Sequence, residues 1–167
     1  HDQEEALTMS DRIAVMSNGE VQQIGTATDI YDHPVNHFVA NFIGEANILK
    51  AKVSKSDKNS ITAILAANGG KVTITSDVSM KKGQNISVMI RPERIQIGKI
   101  SRAKSALNGV IQGISYLGTD TQLQVILDDG ESIIARQQNS IDAGTPLNKG
   151  DKVSVTIPQH ALRVLAD

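Results

Sequence analysis

From residue 47 onward, apolar and polar positions alternate in short runs, and turn residues separate one run from the next. The alternation predicts strands at Leu49–Val53, Ile61–Leu65, Lys71–Thr75, Ile86–Ile90, Val110–Ser115, Gln122–Leu127 and Ser132–Ala135, with Val153–Ile157 and Leu162–Leu165 at the end. Asn68-Gly69, Lys82-Gly83, Asp129-Gly130 and Lys149-Gly150 punctuate them. Many short strands with little helix predict a mainly β region, a sandwich or small barrel.

The front of the chain reads differently. Asp2 to Ser10 suits the end of a loop and a short helix. Ile13–Met16 and Val21–Ile24 flank Ser17-Asn18-Gly19-Glu20, a strong hairpin signal because Asn-Gly accepts the positive φ angles of a tight turn. Thr26-Ala27-Thr28-Asp29 has the spacing of a capped helix start, and His33-Pro34 stops that helix early. A second helix over Asn36–Ile43 sets Phe38, Val39, Phe42 and Ile43 on one face and stops at Gly44.

The β region repeats itself. Lys82-Gly83-Gln84-Asn85-Ile86-Ser87-Val88-Met89-Ile90 matches Lys149-Gly150-Asp151-Lys152-Val153-Ser154-Val155-Thr156-Ile157 at a spacing of 67 residues. Pro92 and Pro158 follow, one position out of step. Ile48–Leu65 and Leu107–Leu127 each read as two strands around a polar turn, so two related β-units sharing a core are expected.

Composition narrows the chemistry. Cysteine is absent, which excludes disulfides, thiolate metal sites and a cysteine nucleophile. No apolar run approaches the roughly 18 residues of a membrane-spanning helix. The net charge of −1 hides a division: residues 1–45 carry eight acids and one base, and the remainder carries 16 bases and 10 acids. A switch near residue 45 marks a boundary between units. The bases are scattered, and Tyr116 is the one aromatic residue after position 45, so the base-stacking platform of a nucleic-acid-binding barrel is missing. His33 and His37 are four apart with Pro34 between them and no third ligand, and His160 suits a turn; no metal site is predicted. Val125-Ile126-Leu127-Asp128-Asp129 imitates a Walker B strand, but Gly130 and a second strand follow, as in a hairpin.

The order and spacing of His1-Asp2-Gln3-Glu4-Glu5-Ala6, Leu7–Met16, Asn18-Gly19, Ile24-Gly25-Thr26, Ile30-Tyr31, Pro34 and Phe38–Gly44 closely resembles the end of the nucleotide-binding domain of ABC import ATPases. The resemblance implies that His1 is the switch histidine, whose ring faces the γ-phosphate of ATP. There it hydrogen-bonds phosphate and attacking water while Mg2+ and a phosphate loop do most of the positioning. The 167 residues contain no Gly-x-x-x-x-Gly-Lys-Ser/Thr loop and no Leu-Ser-Gly-Gly-Gln signature. This stretch alone is therefore not expected to hydrolyse ATP. With no initiator Met and an opening that reads as the inside of a fold, the chain is expected to be truncated at its front.

Gly44-Glu45-Ala46-Asn47-Ile48-Leu49 resembles the start of the TOBE regulatory domain, a transport-associated OB-fold. Ile90-Arg91-Pro92-Glu93 resembles that domain's Arg-Pro-Glu motif, and Tyr116-Leu117-Gly118-Thr119-Asp120-Thr121 its second-repeat turn. The implied architecture is a tandem OB-fold-like TOBE barrel over 46–167, preceded by a short α/β remnant of the ATPase domain over 1–45. Arg91 and Glu93 have two readings: ion pairs across an interface between two copies, or a strand exit in which Pro92 sets the backbone and the charges face water.

The resemblance implies a dimeric subunit on the cytoplasmic face of a bacterial membrane, using ATP and Mg2+ when intact. Its partners are a second copy, permease subunits and, indirectly, an external solute-binding protein, with no nucleic acid. Tyr116-Leu117-Gly118, Leu127-Asp128-Asp129-Gly130 and the ending Ile157–Leu165 look most like the polyamine (spermidine/putrescine) branch. Iron(III) and sugar importers are the alternatives, although the sugar branch's terminal Phe-Asp-x-x-Thr-Gly is absent. Related tandem OB domains bind molybdate-type oxyanions through backbone amides and Ser or Lys side chains. Lys82-Gly83 and Lys149-Gly150 suit that role or plain turns.

Overall fold

The Asn18-Gly19 turn closes the hairpin that the alternation predicts: φ is +53° at Asn18 and +82° at Gly19, and Ser17 pairs with Glu20. A computed structural model describes residues 3–66, 70–76, 78–99, 107–139 and 147–165. The chain divides into two units, 1–46 with 165–167, and 47–164.

In the first unit, α1 (Gln3–Met9) precedes the hairpin of β1 (Ile13–Ser17) and β2 (Glu20–Gly25), and α2 (Ala27–Asp32) and α3 (His37–Ile43) follow. Thr26 and Asp29 cap α2 reciprocally: the Asp29 amide donates to Thr26 Oγ1, and the Thr26 amide donates to Asp29 Oδ2 at 3.0 Å. Asn36 caps α3 by accepting from the Val39 amide at 2.9 Å. α3 ends at Ile43, but Gly44 is extended (φ 179°) rather than left-handed, so the chain leaves straight instead of turning back. Gln23 holds the break at Pro34. Its carboxamide donates to the carbonyls of Asp29 and His33 and accepts from the Val35 amide.

The Asp29 carboxyl lies below the usual carboxylate range because the Thr26 hydroxyl and then the Thr26 amide donate to its ionised form, with His33 adding a weaker attraction. Its contribution to stability is therefore complete above the unfolded-state pKa and is lost as pH falls through the lowered folded value. An NMR titration should show the Thr26 amide resonance moving with the Asp29 carboxyl, at a midpoint below that of an unfolded aspartate. The Asp29→Asn variant should abolish the shift.

Among the described residues, the second unit holds ten strands: β3 (Asn47–Asp57), β4 (Ser60–Leu65), β5 (Lys71–Thr75), β6 (Asn85–Ile90), β7 (Gln96–Lys99), β8 (Leu107–Tyr116), β9 (Asp120–Leu127), β10 (Ser132–Gln138), β11 (Lys152–Thr156) and β12 (Arg163–Leu165). They form two five-stranded sheets, ordered β12-β6-β3-β4-β5 and β10-β9-β8-β11-β7. Each sheet curls around a shared core in which Leu49, Ile61, Ile74, Val88 and Ile90 meet Ile111, Val125, Ile133 and Val153. This is the mainly β architecture expected from the alternation, and it agrees with the OB-like barrel that the resemblance implies.

The 67-residue repeat is structural. Ile86 pairs with Ala51 and Val153 with Gly109; Ala51 pairs in turn with Leu65, and Gly109 with Leu127. Both first strands carry a bulge at the matching place, between Val53 and Lys55 and between Ile111 and Gly113. Short 3-10 turns follow β6 (Pro92–Arg94) and β11 (Gln159–Ala161). Pro92 opens the first turn and Pro158 sits one place earlier as the cap of the second, which accounts for their offset. Ile95 and Leu162, the equivalent residues after the turns, are both buried.

One feature differs from the sequence expectation. The alternation predicts no strand at β7, and β7 does not join the sheet of its own repeat: it pairs with β11, while β12 lies beside β6. Each repeat thus gives its last strand to the other's sheet. The exchange weaves both repeats into one core.

Candidate functional site

The Arg91-Pro92-Glu93 corner is positioned by β6 and the turn after it. Arg91 is extended (φ −73°, ψ 141°), and its carbonyl accepts from the Arg94 amide to start the turn. Pro92 then supplies a fixed φ where no amide donor is needed. Arg91 is only 2% exposed, whereas Glu93 and Arg94 reach the surface. The reading in which both charges face water therefore fails for Arg91, whose guanidinium is buried against the fold. The turn packs against β10, and in the second repeat Pro158 and Gln159 occupy the equivalent places, so no second Arg-Pro-Glu exists.

The two Lys-Gly turns are the candidate oxyanion contacts, and their geometry argues against that role. The Gly83 amide donates to the Val53 carbonyl and the Gly150 amide to the Ile111 carbonyl, each at 2.8 Å. The next amides, of Gln84 and Asp151, donate to Lys81 and Asn148. Gly83 and Gly150 have φ +87° and +94°, as these turns require. Their amides close the bulges of the first strands. They are not aimed outward at an anion.

The remaining sequence candidates fall into plain structural places. Asp128, Asp129 and Gly130 form the β9–β10 turn: the Gly130 amide donates to the Leu127 carbonyl at 2.8 Å, and the Glu131 amide donates to Asp129 Oδ1 at 3.1 Å. The Walker B likeness is thus a hairpin. Partial burial, then the nearby Asp129 charge, pushes the Glu131 carboxyl up, with Lys50 opposing. His33 is the cap residue ending α2 and His37 begins α3. Among the described residues no group of three His, Cys, Asp or Glu could hold a metal ion. His1 lies outside the described residues.

Two features escaped sequence reasoning. Asn47 is buried, and its carboxamide binds Ile134 of the other sheet through both backbone groups, at 2.8 and 2.7 Å. A lone Asn opening a strand gives no sequence signal for this. The second is the apolar surface of the first unit. Its core is Val15, Ile30, Val39 and Ile43, while Met9, Met16, Val21, Ile24, Val35, Phe38 and Phe42 are all exposed. Phe38 and Phe42 stack with ring centroids 5.4 Å apart and planes 16° apart. They line a shallow hollow with His37 and Asn41.

Residues 88–165 match the family model described as TOBE domain. The whole chain is 45% identical to a spermidine/putrescine import ATP-binding protein of Mesorhizobium japonicum, of which it covers 45%. It is likewise 45% identical to that of Ruegeria pomeroyi, covering 44%. The counterpart in Pseudomonas fluorescens is 40% identical over the whole chain, again with 44% covered. The chain therefore spans less than half the length of these relatives. Among solved structures, the cytoplasmic molybdate-binding protein ModG superposes with a TM-score of 0.60 at 16% identity, covering 71% of this chain and 94% of that one. At that identity the likeness shows the fold alone.

Proposed function

We propose that this chain is the carboxy-terminal region of the ATP-hydrolysing subunit of a bacterial ABC importer of polyamines, with residues 88–165, which match the TOBE domain family model, as part of its regulatory domain. The observation that carries the reading is a 45% identity that runs over all 167 residues, the first unit included, with spermidine/putrescine import ATP-binding proteins. A likeness confined to the β-barrel would speak only for a regulatory module. Here the alignment extends through the hairpin, all three short helices and His1.

The first unit supports the same reading on physical grounds. About 46 residues with a four-residue core fall below the size at which a single core usually holds a fold. Seven large apolar side chains on its surface suit a unit that packs against more of the same domain. We place residues 1–45 in the ATPase domain and 46–167 in the regulatory barrel. ATP and Mg2+ belong to the intact subunit, since these residues contain no phosphate loop.

In that subunit His1 hydrogen-bonds the γ-phosphate and the attacking water, and hydrolysis drives a permease at the cytoplasmic face of the membrane. The regulatory barrel contributes to pairing of two subunits, with Glu93 at the surface and Arg91 and Pro92 fixing the corner that presents it. The oxyanion alternative loses support because the Lys-Gly amides are already engaged.

Uptake by the intact importer in membrane vesicles tests the reading. Saturable, ATP-dependent uptake of spermidine or putrescine is expected, and His1→Ala should abolish uptake while leaving ATP binding. Uptake of iron(III) or a sugar instead, or unchanged uptake by the His1→Ala importer, would overturn it.

A further inference from the structure

Three Asn-Gly or Asp-Gly pairs lie within the described residues, and the fold treats them differently. Asn18-Gly19 is the exposed two-residue tip of the β1–β2 hairpin. Neither the Asn18 carboxamide nor the Gly19 amide enters a hydrogen bond among the described residues. A Cβ at Gly19 would meet nothing within 4 Å, so the space around this peptide is open.

Asn108-Gly109 lies inside β8, between β9 and β11, with the Asn108 carbonyl accepting from the Asp128 amide at 3.1 Å. In Asp129-Gly130 both partners are held, the Gly130 amide by Leu127 and the Asp129 carboxylate by the Glu131 amide.

From this contrast we infer that Asn18 is a site of spontaneous deamidation to aspartate and isoaspartate. The Gly19 amide nitrogen, on losing its proton, attacks Asn18 Cγ. A nitrogen–carbon bond forms, the Cγ–Nδ2 bond breaks, and the side-chain nitrogen leaves as ammonia, taking up a proton. The resulting five-membered succinimide is opened by water at either carbonyl, to aspartate or to isoaspartate. The balance is one water consumed and one ammonia released, with no oxidant or reductant.

Glycine as the following residue removes the Cβ that hinders attack elsewhere and leaves its own backbone free to rotate into the reactive geometry. At the hairpin tip that rotation disturbs one turn. In β8 it requires opening strand pairs on both sides, a rarer local unfolding event. The product also matters to the fold. Isoaspartate adds a backbone carbon to a turn whose two residues match the twist of the flanking strands, so the Ser17–Glu20 pairing loses its register.

The test incubates the folded chain in mildly alkaline buffer and follows each Asn-Gly peptide by mass spectrometry after digestion, with isoaspartate read by an isoaspartyl methyltransferase. Digestion also separates Asn68-Gly69, which lies outside the described residues. In the folded chain the Asn18 peptide should convert at least about tenfold faster than the Asn108 peptide, because the strand must first open. In denaturant the two rates should converge to within a few-fold. An intact Asn18, or equal rates in the folded chain, would overturn the inference. A gap that survives denaturation would also overturn it, by assigning the difference to neighbouring residues rather than to the fold.

Discussion

The Gly109→Ala substitution is expected to destabilise the second unit by about 3 kcal/mol, a large loss for a change of one methyl group. A Cβ at this position would stand 2.8 Å from Val125 Cγ1 and closer still to the Ile126 carbonyl oxygen, nearer than real Cβ atoms come. Strand β8 is central in its sheet, so it cannot move away from β9 without also leaving β11. The repeat supplies the comparison. Ala51 takes the place of Gly109 in the first repeat, and Ala63 takes that of Val125. One repeat fills the space with Ala and Ala, the other with Gly and Val.

It follows that the loss should shrink when Val125→Ala is made together with Gly109→Ala. Urea unfolding of both single variants and the double variant would show a double variant more stable than the sum of the single losses predicts. Only part should be recovered, because the Ile126 carbonyl belongs to the backbone and remains in place. Strict additivity would mean that the clash with Val125 is not what selects glycine.

The same pair of residues shows how far the sequence was legible. Alternation places residues in or out of a core, and it locates nine of the ten strands described in the second unit because nearly all have one buried face. It also exposed the repeat, since a Lys-Gly turn with positive φ before an apolar strand leaves a pattern at fixed spacing. Alternation carries no information about which sheet a strand joins. The exchange of β7 and β12 was therefore invisible, and β7, four residues with Gly98 at its centre, gave too short a run to be seen. Arg91 was legible as part of a motif but not as a buried residue, because a charged residue in sequence reads as surface. His1 carries meaning only through resemblance; a histidine beside acids has no chemistry of its own until a nucleotide faces it.

The Asn47→Ala variant should lose about 2–3 kcal/mol, and the loss should be concentrated at the edge strand β10. In an antiparallel ladder, the amide and carbonyl of a residue point to the same side. Those of Ile134 point to Asn47 rather than to a sixth strand, because β10 is the edge of its sheet. The Asn47 carboxamide meets them as the next strand's peptide would, accepting from the Ile134 amide at 2.7 Å and donating to its carbonyl at 2.8 Å. Its nitrogen also lies 3.5 Å from the Ile90 carbonyl, on its own sheet. One side chain therefore ties β3 of the first sheet to the open edge of the second. Truncation to alanine removes the pairing and leaves two backbone groups of a part-buried strand without it. Asn47→Asp separates hydrogen bonding from packing: its shape is nearly unchanged, but it cannot donate to the Ile134 carbonyl when ionised. Both variants should lower the urea midpoint and speed hydrogen exchange at the Ile134 amide, with Asn47→Asp recovering at low pH as its carboxyl gains a proton and becomes a donor. If Asn47→Asp behaved as wild type at neutral pH, the contact to the Ile134 carbonyl would be dispensable. The hydrogen bond from the Ile134 amide, which this variant keeps, would then suffice to fix the edge strand.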